Sequence, residues 1–361
     1  MMWRYCAEKW YFPLLVMTAI DLAFAITNIL LKQIINGGIN LLVFITYRQL
    51  ISSLSLAPIA YFLERKSRPK LKWTISFQLF LSAIVGASVT QYLFLLGIQY
   101  TSATFSCAFL NLVPVLTFLM ALPFGMESVS IKSSGGKAKV IGSMVCIGGA
   151  IFLTLYKGMP LNMHHHYDHH SIIFDDSKSM SPREKKERWI KGCAALFGGT
   201  MMWSSWFILQ SKISKRYPCN YTSTSIMAFF SSLQSALLCF CIYRDLSIWF
   251  LKPNLEMLTV IYAGMVGSGL CFVGMTWCVK KKGPVFTAAF SPFVQIIAAI
   301  FEVPLFHEQL YLGTLIGSSI VIVGLYMLLW AKNHEAQILE PKETPSKQFQ
   351  IIHVNHEPNP A

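Results

Sequence analysis

Two charged side chains lie inside long apolar segments of the sequence. Asp21 stands near the middle of the first segment and Arg48 about two helical turns into the second. A charge at the centre of a membrane-spanning helix costs about 2.5–3.5 kcal/mol on insertion scales, so each needs a physical reason. For Asp21 the hypothesis is that it faces a central cavity, where it exchanges a proton or attracts a substrate ammonium group. The competing interpretation is a structural hydrogen bond to a neighbouring helix.

Arg48 has the chemistry to bind a substrate carboxylate, because its planar guanidinium matches that group. The sequence favours a different role, in which Arg48 pairs with an acid or reaches the membrane interface. Two further acids, Glu302 and Glu308, lie at the end of a later apolar segment and are interpreted as structural.

Two prolines lie inside predicted helices, and polar side chains stand close to each. Pro114 and Pro292 are expected to leave a carbonyl without its helical partner and to bend their helices. Asn111 shares a helix face with Pro114, and Ser291 and Gln295 bracket Pro292. Two kinked helices with nearby amides would suit a substrate site at the membrane midplane. The same groups could instead hold helices together by hydrogen bonds.

Further candidates are Gln91 and an aromatic group formed by Trp203 and Trp206, with Gln210 four residues beyond Trp206. An aromatic wall would suit an indole or an apolar amino-acid side chain. Tryptophan is also enriched at membrane interfaces, which is the competing interpretation.

The elements that position these residues are apolar stretches long enough to cross a bilayer as helices, which takes about 20 residues. The composition agrees, because 54% of the residues are hydrophobic and only 13% are charged. The sequence therefore predicts an all-α membrane protein. Ten spans are predicted, at residues 11–31, 41–63, 75–98, 102–124, 140–156, 192–210, 222–243, 257–279, 284–306 and 312–330.

The basic residues indicate an orientation and exclude one class of partner. The net charge is +13, but Lys and Arg lie in short clusters between apolar runs, so no nucleic-acid partner is predicted. With the N-terminus in the cytosol, the inner segments hold nineteen Lys and Arg and the outer segments ten. Both termini are therefore predicted to be cytosolic.

An internal repeat divides the predicted helices into two sets of five. Ile141-Gly142-Ser143 matches Ile316-Gly317-Ser318, and the alignment continues with seven identities in seventeen positions. Because five is odd, the two copies would have opposite orientations in the membrane. Inverted repeats are a recurrent architecture of secondary transporters, whose substrate site lies near the midplane between the halves.

The predicted organisation has five parts. A cytosolic N-terminus (1–10) precedes the first five-helix repeat (11–156), an extracytosolic linker (157–191), the second repeat (192–331) and a disordered cytosolic tail (332–361). The linker contains the run HHHYDHH at 164–170, interpreted as a solvated connector, with a metal-binding or pH-sensing tract as the alternative. The nine cysteines show no CxxC spacing, so no metal site, disulfide framework or cofactor is predicted.

Several short motifs stand in the order found in one plant family, over roughly residues 10 to 332. They include Tyr47-Arg48, Arg68-Pro69, Thr101-Ser102-Ala103-Thr104-Phe105, Asn111-x-x-Pro114, Lys282-Gly283-Pro284 and Gly324-Leu325-Tyr326. Together they resemble the nodulin-type, Walls-Are-Thin-related branch of the EamA drug/metabolite transporter superfamily. The chain departs from that pattern at Asp21, where relatives commonly carry an amide, and at Trp330-Ala331-Lys332, where they carry Trp-Gly-Lys.

The resemblance implies a carrier with five plus five helices in the plasma membrane or the vacuolar membrane. Such relatives move amino acids, auxin or related metabolites. The implied partners are the lipid bilayer and a small-molecule solute; coupling to protons and the oligomeric state stay open. An integral membrane enzyme and a non-transporting scaffold or signalling protein are the alternative functions, although no catalytic triad or HExxH pattern favours an enzyme.

Overall fold

The described part of the chain is built from helices. The structure, a computed structural model, describes residues 2–36, 39–101, 106, 109–126, 134–156, 181–243, 245–251, 255–306 and 312–339. The helices are α1 (Met2–Asn36), α2 (Leu41–Glu64), α3 (Trp73–Tyr100), α4 (Val113–Ala121), α5 (Ser134–Leu155), α6 (Pro182–Arg216), α7 (Asn220–Ile242), α8 (Leu255–Lys282), α9 (Pro284–Ala288), α10 (Ser291–Phe306) and α11 (Leu312–Leu339).

Six of these helices contain stretches that are long and apolar enough to cross a membrane: α1, α2, α3, α6, α7 and α8. Two shorter apolar stretches, Pro284–Val294 and Ile316–Leu328, lie in the last three helices. No β-strand occurs among the described residues. The predicted all-helical membrane class is therefore confirmed, whereas the arrangement of ten spans as two inverted repeats stays a prediction.

Several helices extend beyond the predicted apolar spans, most of all α1, α6 and α11. Helix α1 begins at Met2, and α6 begins at Pro182, inside the predicted linker. Ser181 and Glu184 form a capping box there, which fixes the start of α6. Helix α11 continues to Leu339, so the predicted disordered tail from residue 332 begins with helical residues. The segment 332–339 contains good helix formers such as Ala, Glu, Gln and Leu, which explains the extension.

The predicted bends at Pro114 and Pro292 are replaced by breaks. Residues Asn111 and Leu112 form a turn before α4, and Ala289 and Phe290 form the equivalent turn before α10. Each proline is the second residue of its helix, where its missing N–H group has no helical acceptor to lose. The prolines therefore start new helices instead of bending continuous ones.

Two helices contain a wider, π-helical stretch. In α3 it covers Ile84–Ser88, and in α8 it covers Ala263–Leu270. Such stretches shift the register of the residues that follow and occur frequently at functional sites.

The most extensive helix contacts join the N-terminal half (α1–α5) to the C-terminal half (α6–α11). Helix α5 packs on α11, α2 on α7 and α3 on α6, while α1 packs on α8 and α10. Glycines bring α5 and α11 together: a Cβ added at Gly142 would lie 2.7 Å from the carbonyl oxygen of Gly324. The two halves therefore share one helical core.

Candidate functional site

A cavity of about 190 Å³ lies between the two halves of the bundle. Residues of α1, α2, α3, α6, α8, α9 and α10 line it. Ligand pockets for drug-sized molecules typically measure about 300–1,000 Å³, so this cavity fits a smaller solute. Among the described residues, its lining holds one acid, one base, several uncharged polar side chains and an aromatic wall.

One face of α1 forms one side of the cavity. Met17, Ile20, Asp21, Phe24 and Asn28 follow the spacing of a single helix face and all line it. Asp21 is only 2% exposed, and its Oδ2 atom has no hydrogen-bond partner among the residues that the structure describes. A buried carboxyl oxygen without a protein partner is available to a ligand or a proton.

Arg48 on α2 reaches the same cavity. Its Nε donates a hydrogen bond of 2.6 Å to the Ser268 hydroxyl in the π-helical stretch of α8. Gly267, the residue before Ser268, lies against the guanidinium, and a Cβ added there would be 3.5 Å from Nη2. Arg48 is 8% exposed and forms no ion pair with an acid in the described part of the chain. The sequence favoured a pairing with an acid or a place at the membrane interface. Arg48 is instead buried at the cavity, where it donates to the hydroxyl of Ser268.

The π-helical stretch of α3 brings Thr90 and Gln91 to the cavity. The Thr90 hydroxyl donates to the Val85 carbonyl, which is five residues back. The Gln91 Oε1 atom is buried without a hydrogen-bond partner among the described residues. The predicted candidate Gln91 therefore faces the cavity with an acceptor free.

Two side chains of the aromatic wall belong to α6. Trp203 lines the cavity with Phe207, whereas Trp206 is fully buried behind them. The rings of Trp203 and Trp206 are stacked, with centroids 5.0 Å apart and planes within 10°. Gln210, one turn further on, donates to Thr276 with its Nε2 atom and does not reach the cavity. Of the tryptophans singled out in the sequence, Trp203 faces the site and Trp206 supports it.

The residues around the two helix breaks divide between the cavity and the core. Ser291 lines the cavity, together with Thr287 from α9. Asn111, Pro114 and Pro292 are buried but do not line it.

Several candidates cannot be placed at the site. The side chains of Gln295 and Glu302, and the whole of Glu308, lie outside the described residues, as does the histidine tract at 164–170. Among the described residues, no group of three His, Cys, Asp or Glu side chains could hold a metal ion.

Sequence reasoning missed the aromatic and polar neighbours of Asp21. Phe24 and Asn28 lie three and seven residues after it, and this helical spacing could have identified them. The lining residues Phe94, Phe272 and Met275 carry no such signal, because any apolar residue of a buried helix could occupy those positions.

A helical membrane protein with an acid and a base in one buried cavity has the features of a solute transporter, because intramembrane charges typically mark substrate or ion pathways. The sequence comparisons identify the family. The EamA-like transporter family matches residues 12–155 and again residues 190–330, and the chain belongs to this family.

The relatives narrow the assignment to one branch. The chain is 46% identical over 328 residues to WAT1-related protein At4g01440 of Arabidopsis thaliana, covering 91% of this chain and 88% of that protein. It is 45% identical over 339 residues to WAT1-related protein At3g30340 of the same plant, covering 93% and 92%. The predicted membership of the plant Walls-Are-Thin-related branch is confirmed, and with it a membrane transporter of small solutes rather than an enzyme.

A solved crystal structure shares the fold. It aligns with a TM-score of 0.60 over 89% of this chain and 98% of that chain, at 15% sequence identity. At this identity the likeness concerns the fold alone.

Proposed function

We propose that this protein is a secondary carrier of small α-amino acids with apolar side chains. One observation carries the proposal: Asp21 and Arg48 line the same cavity, and they form no ion pair with each other. A zwitterion would offer its ammonium group to Asp21 and its carboxylate to Arg48. Its side chain would lie against Trp203 and Phe207, which supply an apolar surface.

An auxin-like indole acid is the second candidate. Its carboxylate would pair with Arg48 and its indole ring would pack on Trp203, so the aromatic wall favours it as well. It has no cationic group for Asp21, which would then have to be protonated. This difference separates the two solutes experimentally.

The proposed architecture is ten spans in two inverted five-helix repeats, over residues 11–156 and 192–331. Four observations support it. The EamA-like family matches the chain twice. In the repeat, α3 corresponds to α8 and α6 to α1, and the contact of α3 with α6 is matched by a contact of α8 with α1. The π-helical stretches of α3 and α8 occupy equivalent places, and so do the breaks before α4 and α10.

Alternating access would move the two repeats around the cavity, which would lie near the membrane midplane. The charge distribution of the loops supports cytosolic termini, with residues 1–10 and the tail on the inner side and the linker 157–191 on the outer side. The proposed location is the plasma membrane or the vacuolar membrane. Asp21 is the proposed proton carrier if transport is coupled to protons.

Uptake of labelled L-phenylalanine and of indole-3-acetate into proteoliposomes, with and without a pH gradient, tests the proposal. Asp21→Asn is expected to raise the KM for phenylalanine about 30-fold or more, because truncating one member of a buried charge pair costs at least about 2 kcal/mol. Arg48→Gln is expected to raise the KM for both solutes. The matched controls Asp245→Asn and Arg183→Gln change exposed charges and should leave uptake unchanged.

The outcomes are distinct. Uptake of indole-3-acetate alone, unaffected by Asp21→Asn, would refute the amino-acid assignment and leave a carrier of aromatic acids. No selective uptake of either solute would refute both candidates.

A further inference from the structure

Trp206 is buried and hydrogen-bonded on the side away from the cavity. It is 0% exposed, and its single donor, the indole Nε1, bonds to the sulfur of Met227 at 3.4 Å. The same sulfur accepts a hydrogen bond from Ser82 at 3.3 Å. A thioether is a weak acceptor, but this arrangement satisfies a buried N–H group that would otherwise be unpaired.

Gly86, in the π-helical stretch of α3, provides the space for this indole. A Cβ added at Gly86 would overlap the Cδ1 atom of Trp206 and would lie 2.6 Å from both Cγ and Nε1. Real Cβ atoms do not approach other heavy atoms so closely, and the obstructing atoms belong to a rigid ring that is packed on all sides. Any side chain at position 86 would therefore displace Trp206.

A displacement of Trp206 would reach the cavity through ring contacts. Trp203, which lines the cavity, stacks on Trp206. Phe272, another lining residue, packs in a T-shaped arrangement against both indoles, with ring centroids 5.8 Å from Trp203 and 5.3 Å from Trp206. Close-packed aromatic rings have little free volume, so a shift of one ring requires its neighbours to move.

We infer that Gly86 is a specificity-determining position, which sets the place of Trp206 and through it the wall that receives the apolar part of the solute. Gly86 and Trp206 do not line the cavity; their contact sets the position of Trp203, which does. Met227 and Gly86 are thus positioning residues. The inference rests on the proposed function, since it concerns which side chains the carrier accepts.

The test compares KM values for labelled L-phenylalanine and L-alanine in proteoliposomes. Gly86→Ala is expected to raise the ratio of the phenylalanine KM to the alanine KM by at least about tenfold, the discrimination that one methylene group gives in an apolar pocket. The KM for alanine should change little, because its methyl group does not need the wall. Loss of folded protein would lower both maximal rates equally and would not move this ratio.

A double-mutant cycle tests whether the effect passes through Trp206. In the Trp206→Leu background the obstructing ring is absent, so Gly86→Ala should no longer change the ratio. The matched control is Gly198→Ala at the same helix interface, where a Cβ would lie 3.5 Å from Leu93 and fits without displacement. This control should keep the wild-type ratio.

Three results would overturn the inference. An unchanged ratio in Gly86→Ala would show that the wall does not depend on this glycine. An equal shift in the Trp206→Leu background, or in Gly198→Ala, would show that the effect does not pass through Trp206. A wild-type protein that transports neither amino acid would instead refute the proposed function, and the inference with it.

Discussion

Glu64, the last residue of α2, caps a helix of the other half of the chain. Its Oε1 atom accepts a hydrogen bond of 3.0 Å from the backbone N–H of Tyr221, and Oε2 accepts one of 2.8 Å from Thr222. Both donors belong to the first turn of α7, where N–H groups have no acceptor within the helix. Glu64 therefore links the end of α2 to the beginning of α7 by two hydrogen bonds.

The energy of this contact follows from its geometry. A hydrogen bond to a charged group contributes about 1.5–3 kcal/mol net, and an anion near a helix N-terminus adds about 0.3–1 kcal/mol. The site is only partly buried, so water can reach the freed N–H groups in a truncated variant. Because water then replaces both acceptors, we expect Glu64→Ala to lower the free energy of unfolding by about 2 kcal/mol, less than the full sum for two bonds. Glu64→Gln keeps one acceptor oxygen and should lose about half as much.

The assay is equilibrium unfolding in dodecyl maltoside micelles titrated with dodecyl sulfate and followed by tryptophan fluorescence. The matched control is Glu187→Gln, which removes an ion pair of 3.5 Å with Arg183 on the exposed start of α6. Exposed pairs of this spacing contribute about 0.3–0.5 kcal/mol. If Glu64→Ala is no less stable than this control, the cap does not stabilise the packing of α2 on α7.

Two further predictions use the same unfolding assay. Gly142→Ala should lower the free energy of unfolding by about 1–3 kcal/mol, because its methyl group would press on the Gly324 carbonyl. The control Gly148→Ala, with open space around it, should be tolerated. Equal stability of the two variants would contradict the close contact. Thr90→Val should cost about 0.5–1.5 kcal/mol by removing the hydrogen bond that the Thr90 hydroxyl donates to the Val85 carbonyl, and Thr90→Ser, which keeps the hydroxyl, should restore most of it.

The cavity face of α1 could be predicted because it depends on local spacing. A carboxylate in an apolar helix already indicates which face is functional, and residues three, four and seven positions away share it. The surroundings of Arg48 could not be predicted in the same way. Its partner Ser268 is 220 residues away in the chain and lies in a π-helical stretch. No local pattern of α2 contains that information.

The helix breaks and the role of Trp206 show a second limit. A proline inside an apolar run is compatible with a bend or with the start of a new helix, and packing decides between them. Both Pro114 and Pro292 take the second option. Likewise, the sequence places Trp203 and Trp206 on one helix, three residues apart, but only the contact of Trp206 with Gly86 determines which indole is behind the other.

Helices of the first half pack on helices of the second half, and this has a consequence for synthesis in the cell. Helices α1, α2 and α3 enter the membrane before α8, α7 and α6, on which they pack, have been made. During that interval Asp21 has no cavity around it and Arg48 has no Ser268 to bind. Each intramembrane charge costs about 2.5–3.5 kcal/mol on insertion scales, so we expect the first half to be less stable in the membrane until α8 has been made. Completion of the last helix, α11, against α5 then closes the bundle.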